Sequence, residues 1–286
     1  MITQIVTHPG SAHKDDFLAV CLLLARHPVP VVRRTPTPAE LADPSVCVVD
    51  VGYEHAAERM NFDHHQFPRE DTPSCALSLV LRHFGLYEDA RLFCDWLEPA
   101  EWLDVRGPGK TAEWLGVRPE IVSRLYSPLD GALLQRFGAS SEHRPGEPLW
   151  EVMRMVGEDL VGFLVGTRQR VEFVGRHATL WKLESQGEAF EALFLPRTEP
   201  LAADPSADTE RYVRMSGLSS RVAAIVYPDR RSVGYGLTRF DDHPKLDFCR
   251  VTSEPDVHFT HPSGFLCKTS ATAAERLQAL LRAAWR

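Results

Sequence analysis

A chain of 286 residues with 44% hydrophobic residues is long enough for a real core and, as a prior, for about two domains. Its formal net charge of −7 argues against the basic coating that binds long duplexes, but a small metal-bearing phosphoester site is still allowed, because bound ions bring their own charge. The six cysteines are scattered with no Cys-x-x-Cys pair, no apolar run reaches the roughly 20 residues of a membrane span, and Met1-Ile2-Thr3-Gln4 lacks a signal-peptide pattern, so the expectation is a cytoplasmic protein without a zinc-thiolate site.

The chain opens with a β-prone run over 2–7 that ends at His8-Pro9-Gly10. Residues 16–26 place Phe17, Leu18, Val20, Cys21 and Leu24 at helical spacing behind acidic residues suited to a helix N-terminus. A second strand over 29–34 is stopped by Thr35-Pro36-Thr37-Pro38, and a third over 46–51 is apolar enough to be buried. Strand, helix, strand, short helix, strand predicts an α/β domain with a parallel sheet. Functional residues gather at the carboxyl ends of such strands, and His8 follows the first while Asp50 closes the third.

Beyond Asp71 the pattern is mainly helical, with helices expected over 75–84, 89–102, 119–137 and 149–171. It then turns β-rich, with strands over 179–183, 189–195, 222–228 and 232–240, an exposed loop at 200–208 and a last helix over 271–285. The expected division is an α/β domain at 1–170 and a smaller α+β domain at 171–286, with the active site in the cleft between them.

The residues that can carry chemistry are His8, His13, Asp15, Asp50, Asp63, His64, His65 and Asp104. Imidazoles mixed with carboxylates suit Mn²⁺, Fe²⁺, Zn²⁺ or Mg²⁺. Two such ions about 3.5–4 Å apart can share a carboxylate, supply hydroxide at neutral pH and clamp a phosphoryl oxygen. The triplet Asp63-His64-His65 is the most informative of these features. Asp16 reads as a helix N-terminal carboxylate, and Asp241-Asp242-His243 as a solvated hairpin end. His27, His55, His83, His143, His177, His243 and His258 read as solvated or locally satisfied. The stretch Gly107-Pro108-Gly109-Lys110-Thr111 lacks phosphate-loop spacing, and Arg33-Arg34 and Arg230-Arg231 are too short for nucleic-acid patches.

In order, His8-x-x-x-x-His13-x-Asp15, Val49-Asp50, Asp63-His64-His65 and Asp104 resemble the DHH phosphoesterase superfamily. The wording from Thr7 to Asp16, the run from Tyr53 to His65, and Phe259-Thr260-His261-Pro262-Ser263-Gly264-Phe265 are similar to its melanocyte-proliferating-gene (Myg-type) nuclease branch. The resemblance implies two divalent ions, Mn²⁺ foremost, with His8, His13 and Asp50 on one and Asp15, Asp50, His64 and Asp104 on the other. It implies that Asp63 orients its neighbours, that His65 addresses the substrate phosphate, and that His261, Ser263 and Gly264 bind substrate. Where the family continues with a glycine pair this chain has Leu266-Cys267-Lys268, so Lys268 would replace the lost backbone contacts by charge. After Asp104 it has Arg106-Gly107-Pro108 in place of the family's Asp-Asn-Gly. The implied activity is exonucleolytic cleavage of short single-stranded RNA or DNA by a metal-activated hydroxide, in a monomer or homodimer. A small-molecule phosphohydrolase acting on pyrophosphate or a phosphorylated nucleoside, and a non-catalytic nucleotide-binding protein, are the alternatives.

Overall fold

A computed structural model describes residues 1–124 and 127–286. The chain divides into two compact units, Met1–Gly166 and Thr167–Arg286.

The first unit contains β1 (Gln4–Thr7), α1 (Lys14–Leu24), β2 (Val31–Arg33), α2 (Pro38–Ala42), β3 (Val46–Val49), β4 (His55–Ala56), β5 (Asn61–Phe62), α3 (Ala76–His83), α4 (Tyr87–Phe93), α5 (Leu97–Leu115), α6 (Pro119–Arg124), α7 (Pro128–Gly138), β6 (Glu142–His143) and most of α8 (Pro148–His177). The sheet order is β4-β5-β3-β1-β2-β6. β1 pairs in parallel with β2 and β3, and β3 with β5, which gives the parallel centre expected from the strand–helix alternation. The edge strands β4 and β6 run antiparallel. Each is two residues long, and an antiparallel neighbour needs no crossover helix. Ile5, Val6, Val31 and Val46 to Val49 are buried, as befits parallel strands covered on both faces.

This topology puts four strand ends side by side. β5 ends at Phe62 just before Asp63-His64-His65, β3 ends before Asp50, β1 before His8, and β2 ends with Arg33 itself. Facing them, α1 contributes Asp15 and Asp16 from its first turn.

The helical stretch departs from expectation where loops interrupt the apolar pattern. The helix expected over 89–102 is two elements, α4 and α5, and α5 runs on past Asp104 with a break at Gly107 (φ 77°) ahead of Pro108. Asp104 therefore lies inside a helix, and its side chain is only 12% exposed. The expected helix over 119–137 corresponds to α6 and α7, with Leu125 and Tyr126 outside the described residues. Buried Glu101, one turn before Asp104 on α5, accepts hydrogen bonds from Ser78 Oγ on α3 (2.5 Å) and Tyr87 Oη on α4 (2.9 Å). One carboxylate thereby ties together the helix that carries Asp104 and its two predecessors. Burial raises the Glu101 pKa even though both hydrogen bonds oppose the shift.

The second unit holds β7 (Thr179–Ser185), β8 (Glu188–Phe194), α9 (Thr209–Met215), β9 (Val222–Pro228), β10 (Tyr235–Arg239), β11 (Val257–Thr260), β12 (Leu266–Thr269) and α10 (Ala274–Ala284). Its sheet order is β11-β12-β10-β9-β8-β7, antiparallel except for the β8–β9 pair. Leu277, Leu280, Leu281 and Ala284 of α10 join Phe190, Leu237, Phe248 and Trp285 in the core. α9, β11 and β12 are short and of mixed polarity, which is why no periodic pattern announces them. Among the described residues no helix is long and apolar enough to cross a membrane.

Candidate metal centre

The strand ends place their side chains within ligand distance of one another. His64 Nε2 lies 3.0 Å from Asp50 Oδ1 and 3.2 Å from Asp104 Oδ2. His8 Nε2 lies 3.5 Å from Asp50 Oδ2 and 3.0 Å from Asp16 Oδ2, while its Nδ1 faces the Pro9 carbonyl at 2.9 Å. His13 Nδ1 lies 3.7 Å from Asp104 Oδ1. Three groups of donor atoms fall within 4.8 Å of one another: His8, His13 and Asp50; Asp50, His64 and His65; His13, Asp15 and Asp104. Asp50 and His13 each belong to two of the three groups.

Asp63 is engaged differently. Its Oδ1 accepts the backbone N–H of His65 (3.0 Å) and lies 2.6 Å from His65 Nδ1, and its Oδ2 accepts the N–H of Tyr53 (2.6 Å). Gln66 Nε2 donates to the Asp63 carbonyl (2.8 Å). Asp63 is fully buried, whereas the His65 side chain is half exposed and faces a cavity of about 210 Å³ lined also by His8, His13, Asp50, Val51, Gly52 and Tyr53.

The electrostatics test whether a cation fits. Asp15 and Asp50 are 1% and 3% exposed, yet both carboxylate oxygens of Asp15 make no hydrogen bond, and Asp50 Oδ1 faces the imidazoles of His64 (3.0 Å) and His65 (3.8 Å). Buried carboxylate oxygens left without donors are costly unless a cation completes them. Burial, and then the charges of Asp50 and Asp104, push the Asp15 carboxyl well up. Burial likewise raises Asp50 despite the opposing bond from His64. Burial disfavours charge on His64, but Asp104 and Asp50 outweigh it and push this imidazole up to about 10. His8 is raised, chiefly by its bond to Asp16. The cluster therefore draws positive charge. Its oxygen and imidazole donors, clustered and partly unpartnered, are compatible with divalent-metal binding.

Two residues that the sequence did not mark as functional support this cluster. Asp16 does sit at the helix start, its Oδ1 accepting the His13 N–H (2.8 Å), but its other oxygen faces both His8 and Arg33. Arg33, 3% exposed, donates to the Gly10 carbonyl (2.9 Å), the Phe137 carbonyl (3.4 Å) and Asp16 (3.4 Å), and lies over the Phe137 ring. One guanidinium thus holds the loop between His8 and His13 from below. An Arg-Arg pair at a strand end reads as surface charge; an arginine closing a buried strand beside two histidine-bearing turns was the available signal. An Arg33→Lys variant should keep the charge and lose the forked contacts, lowering the urea-unfolding free energy by about 2 kcal/mol and weakening Mn²⁺ binding by calorimetry. Wild-type stability and affinity would remove Arg33 from this role.

The substrate residues expected near the C-terminus belong to the second unit. His261 Nδ1 accepts the Ser263 N–H (3.2 Å) and the Gly264 N–H donates to the His261 carbonyl (2.8 Å), forming a tight turn with Ser263 exposed. Gly264 has φ 69°, which strains any other residue, and a Cβ there would displace the Asp247 carboxylate, whose Oδ1 lies 2.0 Å away. Lys268 is not gathered at this turn. It lies on β12, pairs with Asp229 (2.9 Å) and lines a cavity of about 240 Å³ with Asp204, Ser206, Tyr227, Arg230 and Arg231, a lining that contains none of His261, Ser263 and Gly264. Among the other histidines, buried His143 Nε2 bonds the Phe137 carbonyl, and His55 packs against Phe62 and Phe67. Asp241 and Asp242 both adopt positive φ in the turn after β10, where Arg239 bonds Asp242.

Residues 4–88 match the model of the MYG1_exonuc family, described as "Uncharacterised protein family (UPF0160)". Over this segment the chain is similar to that family. The matched span contains His8, His13, Asp15, Asp50 and the Asp63-His64-His65 triplet, and it stops before Asp104 and the second unit. A solved structure described as the DHH domain of a member of a family of ribosomal proteins is 14% identical over 98% of this chain and 85% of that one, with a TM-score of 0.33. No curated protein matched the chain. The matched span and the donor cluster coincide over His8, His13, Asp15, Asp50, His64 and His65, a donor set compatible with divalent-metal binding.

Proposed function

We propose that the chain is a phosphodiesterase that cleaves short single-stranded RNA or DNA from an end, with two divalent ions, Mn²⁺ foremost, held in the unit Met1–Gly166. The observation that carries this reading is the pair of buried Asp15 oxygens that make no hydrogen bond, clustered with buried Asp50 among His8, His13, His64 and Asp104. Bound ions would supply a hydroxide at neutral pH and neutralise phosphoryl charge. The side chains have separable tasks. His8, His13, Asp15, Asp50, His64 and Asp104 would hold the ions, Asp50 lying in the donor groups of both His8–His13 and His64–His65. Asp63 fixes the His65 ring, and His65, half exposed at the cavity, contacts the substrate phosphate. The unit Thr167–Arg286 binds substrate, with His261 and Ser263 as its contacts. Lys268, already neutralised by Asp229, has the weaker claim.

An activity screen with Mn²⁺ on end-labelled short RNA, end-labelled short DNA, pyrophosphate and bis(p-nitrophenyl) phosphate tests this, paired with calorimetric titration of Mn²⁺. Shortening of the labelled strands, with about two ions bound per chain, is the expected result. Cleavage of pyrophosphate alone would replace the nuclease by a small-phosphate hydrolase. A folded protein that binds no Mn²⁺ and hydrolyses none of the four would leave a non-catalytic protein.

A further inference from the structure

We infer that Tyr53 is a stacking platform for a nucleoside base at the mouth of the metal-centre cavity, selecting nucleotidyl phosphoesters over phosphates without a base; this rests on the phosphoester reading above. Tyr53 lies in the turn after β3, where Gly52 has φ 104° and Tyr53 itself φ 55°. At Gly52 both that backbone and the Leu41 methyl, 2.9 Å from where a Cβ would stand, demand glycine. At Tyr53 no such demand explains a bulky aromatic residue. The left-handed region disfavours it, and glycine or asparagine would sit there with less strain. The ring is not recruited to the core either, since Tyr53 is 75% exposed. A strained backbone holding a large exposed ring beside a reactive cluster points to a ligand.

The ring is nonetheless aimed. The Tyr53 N–H donates to Asp63 Oδ2 at 2.6 Å, while Asp63 Oδ1 takes the His65 N–H and sits 2.6 Å from its ring nitrogen. One buried carboxylate therefore sets both the imidazole assigned to the phosphate and the backbone that carries the phenol. The two rings stand 6.0 Å apart between centroids, tilted by 54°, and both line the same cavity as His8, His13 and Asp50. A phosphate at His65 thus brings an attached nucleoside beside the exposed face of Tyr53. Stacking on one aromatic ring tolerates any base, so the platform confers selectivity for nucleotides with little sequence preference.

The test compares two diesters with the same leaving group, thymidine 5′-(p-nitrophenyl phosphate) and methyl p-nitrophenyl phosphate, in the Mn²⁺-loaded protein. Tyr53→Ala should raise KM for the thymidine ester about tenfold, the lower range of base stacking on an aromatic side chain, with kcat within about twofold and methyl-ester kinetics unchanged. Tyr53→Phe should behave as wild type, and Tyr53→Gly, which relieves the left-handed strain, should match Tyr53→Ala. Equal effects of Tyr53→Ala on both esters, or none on either, would overturn the platform. If the wild type hydrolyses neither ester the phosphoester reading fails, and calorimetric binding of the dinucleotide pTpT against inorganic phosphate then judges Tyr53 alone. Selective loss of pTpT binding in the Ala and Gly variants supports the platform. Wild-type binding in those variants, or no pTpT binding by the wild type, refutes it.

Discussion

An Asp50→Asn variant should lose divalent-metal binding and lower phosphoester hydrolysis by about a thousandfold or more while keeping its fold. Asp50 sits where the buried strand β3 ends, 3% exposed, with φ 57° and its N–H bonded to the Phe62 carbonyl at 3.0 Å. Asparagine matches aspartate in shape and tolerates the left-handed backbone, so the turn survives the change. What disappears is a negative charge shared by the His8–His13 and His64–His65 donor groups. The same charge raises the pKa of Asp15, so its removal relieves repulsion among buried carboxylates. Metal-free Asp50→Asn should consequently melt at or above the wild-type temperature, although titration calorimetry finds its Mn²⁺ sites gone. A variant that binds Mn²⁺ and turns over normally would remove Asp50 from the centre. A variant that loses activity only because it unfolds would make Asp50 a structural residue.

Gly157→Ala carries the largest expected loss of stability, about 3 kcal/mol by urea denaturation. A Cβ on Gly157 of α8 would stand 1.8 Å from the Cys21 carbonyl oxygen, 2.4 Å from its carbon and 3.1 Å from the Leu22 nitrogen on α1. All three are backbone atoms of Cys21 and Leu22, which are fully buried, so no side chain can swing aside and the two helices must separate. α1 also carries Asp15 and Asp16, and Mn²⁺ affinity should fall along with stability. Gly162→Ala, one helical face away with open space around the added methyl, is the control; it should stabilise by about 0.5 kcal/mol through helix propensity. Equal effects of the two substitutions would mean that the close approach of α8 to α1 is not what holds this part of the core.

Much of the donor cluster was legible in the sequence because several of its side chains sit at the ends of short apolar strands. A run such as Val46-Cys47-Val48-Val49 is a local signal, and a polar residue that terminates it is placed by the topology of a parallel sheet. His8 and Asp50 are of this kind. Asp104 was harder to place. It lies on α5 rather than after a helix end, because the helix continues past it to a break at Gly107, and the buried Glu101 network rather than any motif sets that helix against α3 and α4. Arg33 and Asp16 escaped notice because each reads locally as ordinary surface charge or capping. Only the parallel register of β1 with β2, Thr7 opposite Arg33, reveals their shared position. Lys268 shows the reverse. Its closeness in sequence to His261 suggested a shared site, but β12 and the ion pair with Asp229 commit it to another cavity.

Sequence alone determined which donors exist and where each lies along its strand or helix, since apolar runs, breaks and acidic helix starts act over a few residues. Tertiary structure alone decided which of those donors share a site, which carboxylate oxygens are buried without a partner, and that Tyr53 is held outward beside His65. Those properties depend on sheet register, helix packing and desolvation, and these couple residues too far apart in the chain for any local pattern to record.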